Sequence, residues 1–218
     1  MHIENIESEK KVDIPRGAWF DGWFYAKFFD SDKLGLRKYI VEFVEDGSSI
    51  IDIGCATGGL ALNLAPRSKY VVGVDVSEKM IKQALKRRNK LGYKNLDFIL
   101  IDALDLSSEI DNTFDYAVLS FVIHEIPQKE RIRILTEAMR IADNIIILDY
   151  HFPQPQGFWG ISIKWIEFFA GREHYRCFRD YLQRGGLKSI FGEMGLRIIR
   201  EGVDGKRAFS TVIVQKQK

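Results

Sequence analysis

Three aspartates, Asp52, Asp75 and Asp102, sit at or near the ends of three successive apolar runs, and a glycine-rich turn follows the first. Ile50-Ile51-Asp52-Ile53 reads as a short buried strand, Gly54-Cys55-Ala56-Thr57-Gly58-Gly59 as a tight turn, and Leu60 to Leu64 as a helix. A strand feeding a glycine turn and a helix N-terminus is where α/β proteins hold nucleotides. Glycine is suited to that turn because a side chain would block the ligand from the backbone. Asp75 ends the run Tyr70 to Val74, and Asp102 ends the run Leu96 to Ile101. In an open parallel sheet those ends face the ligand crevice. A carboxylate about 20 residues beyond the glycine turn is the usual partner of ribose hydroxyls. The third acid is no part of a dinucleotide fingerprint. It suits a ligand whose adenine amino group needs an acceptor.

Other side chains able to do chemistry lie further along. Ser120-Phe121-Val122-Ile123-His124-Glu125 follows the fourth apolar run. His124 is able to take a proton near neutral pH, and Glu125 is a second candidate; a structural role beside a helix is the other reading. His151 follows Tyr150 at the end of the fifth run. Arg172, Arg176 and Arg179 fall on one helical face with His174 beside them. That face is either solvated or a site for an anionic group, since arginine presents a fork to carboxylates and phosphates. Cys55 and Cys177 are far apart and lack paired spacing, so neither a disulfide nor a metal framework is expected, and Cys55 reads as a small residue.

The elements that must position these residues alternate. After a polar stretch over residues 1–14, Trp19, Phe20, Trp23, Phe24, Tyr25, Phe28 and Phe29 crowd together. They read either as a helix packing aromatics on the sheet or as a lid over a ligand mouth. Leu34 to Val44 reads as an amphipathic helix. Ser77 is a natural cap for a helix Glu78–Leu91 that Gly92 ends, with Met80, Ile81, Ala84 and Leu85 on its apolar face. A fourth strand is expected over Tyr116–Leu119, then a helix from Pro127 to Ala142 with Ile132, Leu135 and Met139 inward. The fifth strand, Asn144–Leu148, is continuously apolar, as a parallel strand covered on both faces requires. Residues 150–194 break the rhythm: helical segments are expected over Phe158–Phe169 and about Glu173–Arg184, with Gly185-Gly186 as the stop. Leu196–Arg200 and Ala208–Val214 read as strands joined at Asp204-Gly205, hence antiparallel.

Four blocks together resemble the successive motifs of class I S-adenosylmethionine-dependent methyltransferases: Asp52 to Gly58, Gly73 to Ser77, Ile101-Asp102-Ala103 and Phe114 to Val118. The likeness is to the small-molecule type 11 group, which includes quinone-ring C-methyltransferases. It covers roughly residues 45–150, and 195–215 in pattern only. Ala56 departs from it, standing where many members carry glycine. The resemblance implies a three-layer, doubly wound, seven-stranded and mostly parallel sheet with an antiparallel last strand. It implies one domain over 1–218, with a helical lid segment over 1–45 and a substrate-side helical insertion over 150–194. It further implies S-adenosylmethionine as cofactor and S-adenosylhomocysteine as product. Asp75 would then accept from the ribose hydroxyls and Asp102 from the adenine amino group, with the Ala103 amide nearby. Val76 and Met80 would flank the ring. Gly54, Cys55, Ala56 and Gly58 would line the methionine portion, Asp52 would hold its ammonium, and Ser120, Phe121 and Tyr25 would close the site. His124 and Glu125 would face a small-molecule methyl acceptor, with His151, Arg172, His174 and Arg176 as further acceptor contacts.

The balance of 32 basic and 30 acidic residues in 218 gives a net charge of +2, too little to argue for nucleic acid. No apolar run approaches the ~20 residues that span a bilayer, and the first residues lack a signal-peptide pattern, so a cytoplasmic setting is expected. Three rivals remain at this stage. Gly54-x-Ala56-x-x-Gly59 fits a looser dinucleotide pattern, which keeps a nicotinamide-dependent oxidoreductase open, although Asp102 and the terminal hairpin oppose it. The arginine helix keeps RNA or protein acceptors open. A cofactor-binding regulator without catalysis is the third.

Overall fold

A computed structural model describes residues 35–104, 106 and 114–216. The expected lid residues 1–34, Tyr25 among them, lie outside the described residues. In chain order the elements are α1 (Arg37–Val41), β1 (Ser49–Ile53), α2 (Gly59–Leu64), β2 (Tyr70–Asp75), α3 (Glu78–Leu91), β3 (Leu96–Leu100) and β4 (Phe114–Ser120). Then follow α4 (Gln128–Ile141), β5 (Ala142–Tyr150), α5 (Phe158–Phe169), α6 (Arg172–Gln183), α7 (Gly186–Met194), β6 (Leu196–Val203) and β7 (Phe209–Lys216).

The seven strands form one sheet in the order β3-β2-β1-β4-β5-β7-β6. β1 to β5 are mutually parallel, while β7 runs antiparallel to both β5 and β6. The order reverses between β1 and β4, and a crevice at the strand C-termini beside such a switch point is where open α/β sheets take ligands. The sheet separates two apolar layers. Ile51, Ile53, Ala117 and Leu119 pack on one face with α4, α6 and α7. Ile50, Tyr116, Val118, Ile146 and Leu148 pack on the other with α1, α2 and α3. Alternation along each strand feeds both layers, which is why the runs are apolar throughout.

Several boundaries differ from the sequence expectation. The helix expected over Leu34–Val44 is only the five residues of α1, although Leu36, Ile40, Phe43 and Val44 are all buried as its periodicity requires. In α4 the buried stripe is Arg131, Ile134, Leu135, Ala138 and Ile141, while Ile132 and Met139 are half-buried. The stripe is shifted because Arg131 points inward, its guanidinium bonding Ile123 O at 2.9 Å, Cys177 O at 2.7 Å and Asp180 at 2.9 Å. The glycine pair 185–186 ends α6 but also begins α7, a helix not foreseen, whose inner face is Leu187, Ile190 and Phe191. α5 is inverted relative to an ordinary surface helix: Glu167 is buried, while Phe158, Trp165, Phe168 and Phe169 are exposed.

Candidate active site

The β1–α2 turn is held in shape by the next strand. Gly54 N and Cys55 N donate to Val74 O at 2.9 and 3.0 Å. Asp75 reaches across from β2: its Oδ2 accepts from Ala56 N at 2.9 Å and its Oδ1 from Ser77 N at 2.8 Å. Ala56 has φ 48°, the left-handed region that costs an L-residue about 1–2 kcal/mol. The alanine in the place of the family's glycine is therefore strained, and the Asp75 bond holds it there. Gly58 is also left-handed, at φ 77°, and a Cβ on it would collide with Phe98. Arg87 ties the turn to α3 through Thr57 O and Oγ1, at 3.0 and 2.8 Å. Ser77 caps α3 by accepting from Met80 N.

Asp52 lies beneath this turn, almost wholly buried, and its Oδ2 has no hydrogen-bond partner among the described residues. A buried polar atom without a partner costs about 1–3 kcal/mol, more when charged. Burial pushes the Asp52 pKa up to about 7; the Arg37 guanidinium opposes the rise, Asp75 adds to it, and the Ala61 amide opposes it. Arg37 comes from α1 and lies against Gly59, where any side chain would strike its guanidinium. An acid and a base thus flank the glycine turn. Cys55 is buried, and burial together with Asp52 and Asp75 pushes its thiol pKa well up, which leaves it unreactive near neutrality.

Along the same sheet edge, the tips of β4 and β5 carry a second, denser constellation. Phe121 follows β4 with φ 59°, its N donating to Leu148 O at 2.8 Å. The 3-10 turn Ile123–Glu125 then drops His124 into the interior. His124 Nδ1 meets Asp149 Oδ1 at 2.8 Å, and its Nε2 faces Glu167 Oε2 at 3.6 Å. Burial alone would lower the His124 pKa; Asp149 and Glu167 more than reverse this, to about 9. Glu167 also accepts from Tyr150 Oη at 2.5 Å and meets His174 Nε2 at 2.5 Å. Its pKa is lowered: burial raises it, but His124, His174 and Tyr150 outweigh that. Tyr181 Oη donates to Tyr150 O at 2.7 Å, fixing the strand end beneath the cluster.

The residues expected at a site fall into three groups. Asp52, Gly54, Cys55, Ala56, Gly58, Asp75, Val76 and Met80 lie at or beside the glycine turn, with Val76 half-buried and Met80 buried in the first turn of α3. Asp102 and Ala103 follow β3, where Asp102 Oδ1 accepts from Leu104 N at 2.9 Å. Ser120, Phe121, His124, Glu125 and His174 gather at the β4–β5 end. His151 is buried but lines a different cavity of about 10 Å³ with Leu187, Lys188 and Ser210, about one water's worth of space. Its pKa is lowered, chiefly by burial and then by Arg207. Arg172 and Arg176 are exposed on α6, and Arg176 pairs with Glu173 at 2.7 Å. Arg37, Asp149 and Glu167 were not foreseen. Arg37 gives no local signal. Glu167 does, as a single acid inside the apolar run Trp165-Ile166-Glu167-Phe168-Phe169.

A methyltransferase-domain family matches residues 44–152, half of the chain. The chain belongs to that family. Among curated relatives, a probable (S)-tetrahydroprotoberberine N-methyltransferase of Papaver bracteatum is 29% identical over 109 residues, covering 49% of this chain and 30% of its own length. The ubiquinone/menaquinone biosynthesis C-methyltransferase of Rickettsia typhi is 26% identical over 160 residues, covering 65% of this chain and 63% of its own length. The chain thus spans less than two thirds of the length of these relatives. A SAM-dependent methyltransferase from Aquifex aeolicus superposes with a TM-score of 0.60 at 22% identity, over 90% of this chain and 95% of that one. Magnesium protoporphyrin IX methyltransferase of Synechocystis, solved with bound SAM, gives 0.61 at 19% identity, over 92% of each chain. At those identities the likeness establishes the fold, which is the class I methyltransferase fold that the four motif blocks resemble.

Proposed function

We propose that the protein is an S-adenosylmethionine-dependent methyltransferase acting on a small-molecule acceptor. The observation that carries this is the buried Asp52 carboxylate and the nearby Arg37 guanidinium at the glycine turn. A buried carboxylate oxygen awaiting a donor, beside a guanidinium, complements a free amino-acid end: Asp52 for the ammonium, Arg37 for the carboxylate. A pyrophosphate-bridged dinucleotide has no ammonium to offer Asp52 and would set phosphate charge against it. When bound, S-adenosylmethionine supplies a methyl group on a positively charged sulfur.

The chain's own residues hold the two ends and aim the middle. Asp75, which orders the turn through the Ala56 and Ser77 amides, stands at the end of β2 where the ribose hydroxyls would meet its carboxylate. Asp102 and the Ala103 amide take the adenine edge, and Val76 and Met80 its faces. Gly54 to Gly58 let backbone lie against the methionine portion. Ser120 and Phe121 lead from that portion to the acceptor side, where the His124–Glu125 turn forms the floor. Tyr25 is proposed at the methionine end. Alignment of nucleophile, methyl and sulfur provides much of the acceleration in such a displacement, and Asp149 fixes the His124 ring for that purpose. His151, Arg172 and Arg176 receive no acceptor contact in this reading.

The test is calorimetric titration of the full chain with S-adenosylhomocysteine and, separately, with NAD. Binding of the first and not of the second is expected. The reverse result would overturn the reading in favour of an oxidoreductase.

A further inference from the structure

Nothing in methyl transfer as described requires Glu167 and His174 to meet His124, yet the three converge from β4's tip, α5 and α6. Both imidazoles turn Nε2 toward one oxygen, Glu167 Oε2, His174 at 2.5 Å and His124 at 3.6 Å. Each also turns Nδ1 toward another carboxylate: Asp149 Oδ1 at 2.8 Å for His124, Glu125 Oε2 at 3.6 Å for His174. Tyr150 Oη engages Glu167 through its other oxygen, Oε1. One donor atom from each of His124, Glu167 and His174 can be chosen so that all lie within 4.8 Å of one another.

Two imidazoles and a carboxylate, with the outward nitrogen of His124 hydrogen-bonded to Asp149, form the donor set by which proteins hold zinc. Metal–ligand bonds of ~2.0–2.2 Å in a tetrahedron set donors roughly 3.4 Å apart. The His124–Glu167 separation of 3.6 Å already matches. The His174–Glu167 pair must open by about 1 Å, a side-chain adjustment on a helix surface where His174 is the least buried of the three. Charge argues the same way. Asp149, Glu125 and Glu167 bring three carboxylates around the two imidazoles, surroundings that favour a cation between the rings.

We propose that His124 Nε2, Glu167 Oε2 and His174 Nε2 bind one divalent ion of the zinc class, tying α5 and α6 to the strand tips and leaving a fourth coordination position open. This departs from the sequence expectation of no metal site. It does not depend on the methyl-transfer reading, because the ion can be measured without any methyl donor.

The experiment titrates chelator-stripped full-length protein with zinc chloride by calorimetry, and with cobalt chloride by visible absorption. One ion per chain is expected, with the intense cobalt bands of a four-coordinate site. His174→Gln and Glu167→Gln should each weaken zinc at least tenfold, whereas Glu173→Gln, an exposed neighbour on α6, should leave affinity within threefold. No stoichiometric binding, or less than a tenfold loss in His174→Gln, would overturn the proposal. His174→Gln decides the matter if Glu167→Gln fails to fold.

Discussion

The two halves of the sheet's C-terminal edge solve opposite problems. Over β1 to β3 the polar groups serve backbone: Asp75 bonds an amide of the glycine turn and one of its own turn, Asp102 an amide of its own turn, and Asp52 keeps one oxygen without a partner among the described residues. Over β4 and β5 the polar groups serve one another, through Asp149, His124, Glu167, His174 and Tyr150, with Arg131 bracing the turn from behind. In the first half the Asp52 oxygen is what a ligand can use. The second spends its capacity internally, which fixes side-chain positions. Damage should therefore appear as lost affinity in the first half and as lost stability in the second.

The largest effect is expected on the braced side. Arg131→Met removes a fully buried guanidinium from Ile123 O, Cys177 O and Asp180. Breaking such a network costs about 3 kcal/mol, read as a fall in the denaturant midpoint, while affinity for S-adenosylhomocysteine stays within a few fold. A variant as stable as the wild type would show that the brace is idle. Next comes Asp75→Ala, expected to weaken S-adenosylhomocysteine about 100-fold, since two charge-assisted bonds to ribose are worth roughly 1.5–3 kcal/mol each before compensation by water. Near-normal affinity would mean that the ribose is held elsewhere.

Asp52 sharpens the contrast through pH. Its folded pKa near 7 lies above an unfolded value near 4, so the folded chain holds the extra proton between those limits. The stability Asp52 carries is complete below about pH 4 and is lost as pH rises through 7. Asp52→Asn is thus expected to stabilise the ligand-free protein at pH 8 by about 2 kcal/mol. In the wild type, affinity for S-adenosylhomocysteine should rise between pH 6 and 8 with proton release, seen as a buffer-dependent binding enthalpy. That dependence should vanish in Asp52→Asn. A flat wild-type profile would remove Asp52 from the ligand site. The smallest effect is Ala56→Gly, which relieves a left-handed alanine at the cost of a more flexible unfolded chain, for a net gain of about 0.5–1 kcal/mol in thermal unfolding. A loss would show that Asp75 sets that conformation without strain.

The same division explains what the sequence made legible. The ligand-turn half is local: an apolar run, glycines, a capping Ser77 and an aspartate at each strand end all lie within a few residues of one another, so spacing alone exposed them. The mostly parallel sheet with an antiparallel end was legible because its strands are continuously apolar and Asp204-Gly205 signals a hairpin. The braced half depends on contacts between residues far apart in the chain, such as His124 with Asp149, 25 positions away, and Arg131 with Cys177, 46 away, which no periodicity encodes. Arg131 misled the α4 pattern because a polar residue was taken to face out. α7 escaped because glycines at 185, 186 and 192 lower helix propensity, a cost that packing of Leu187, Ile190 and Phe191 overrides.

The claim on which the functional reading rests is that Asp52 and Arg37 read an amino-acid end. Calorimetry at pH 8 comparing S-adenosylhomocysteine with 5′-methylthioadenosine, which keeps the adenine, ribose and thioether but lacks that end, tests it directly. The account predicts at least 30-fold tighter binding of S-adenosylhomocysteine, with the gap narrowing in Asp52→Asn. Equal affinity of the two in the wild-type protein would contradict it.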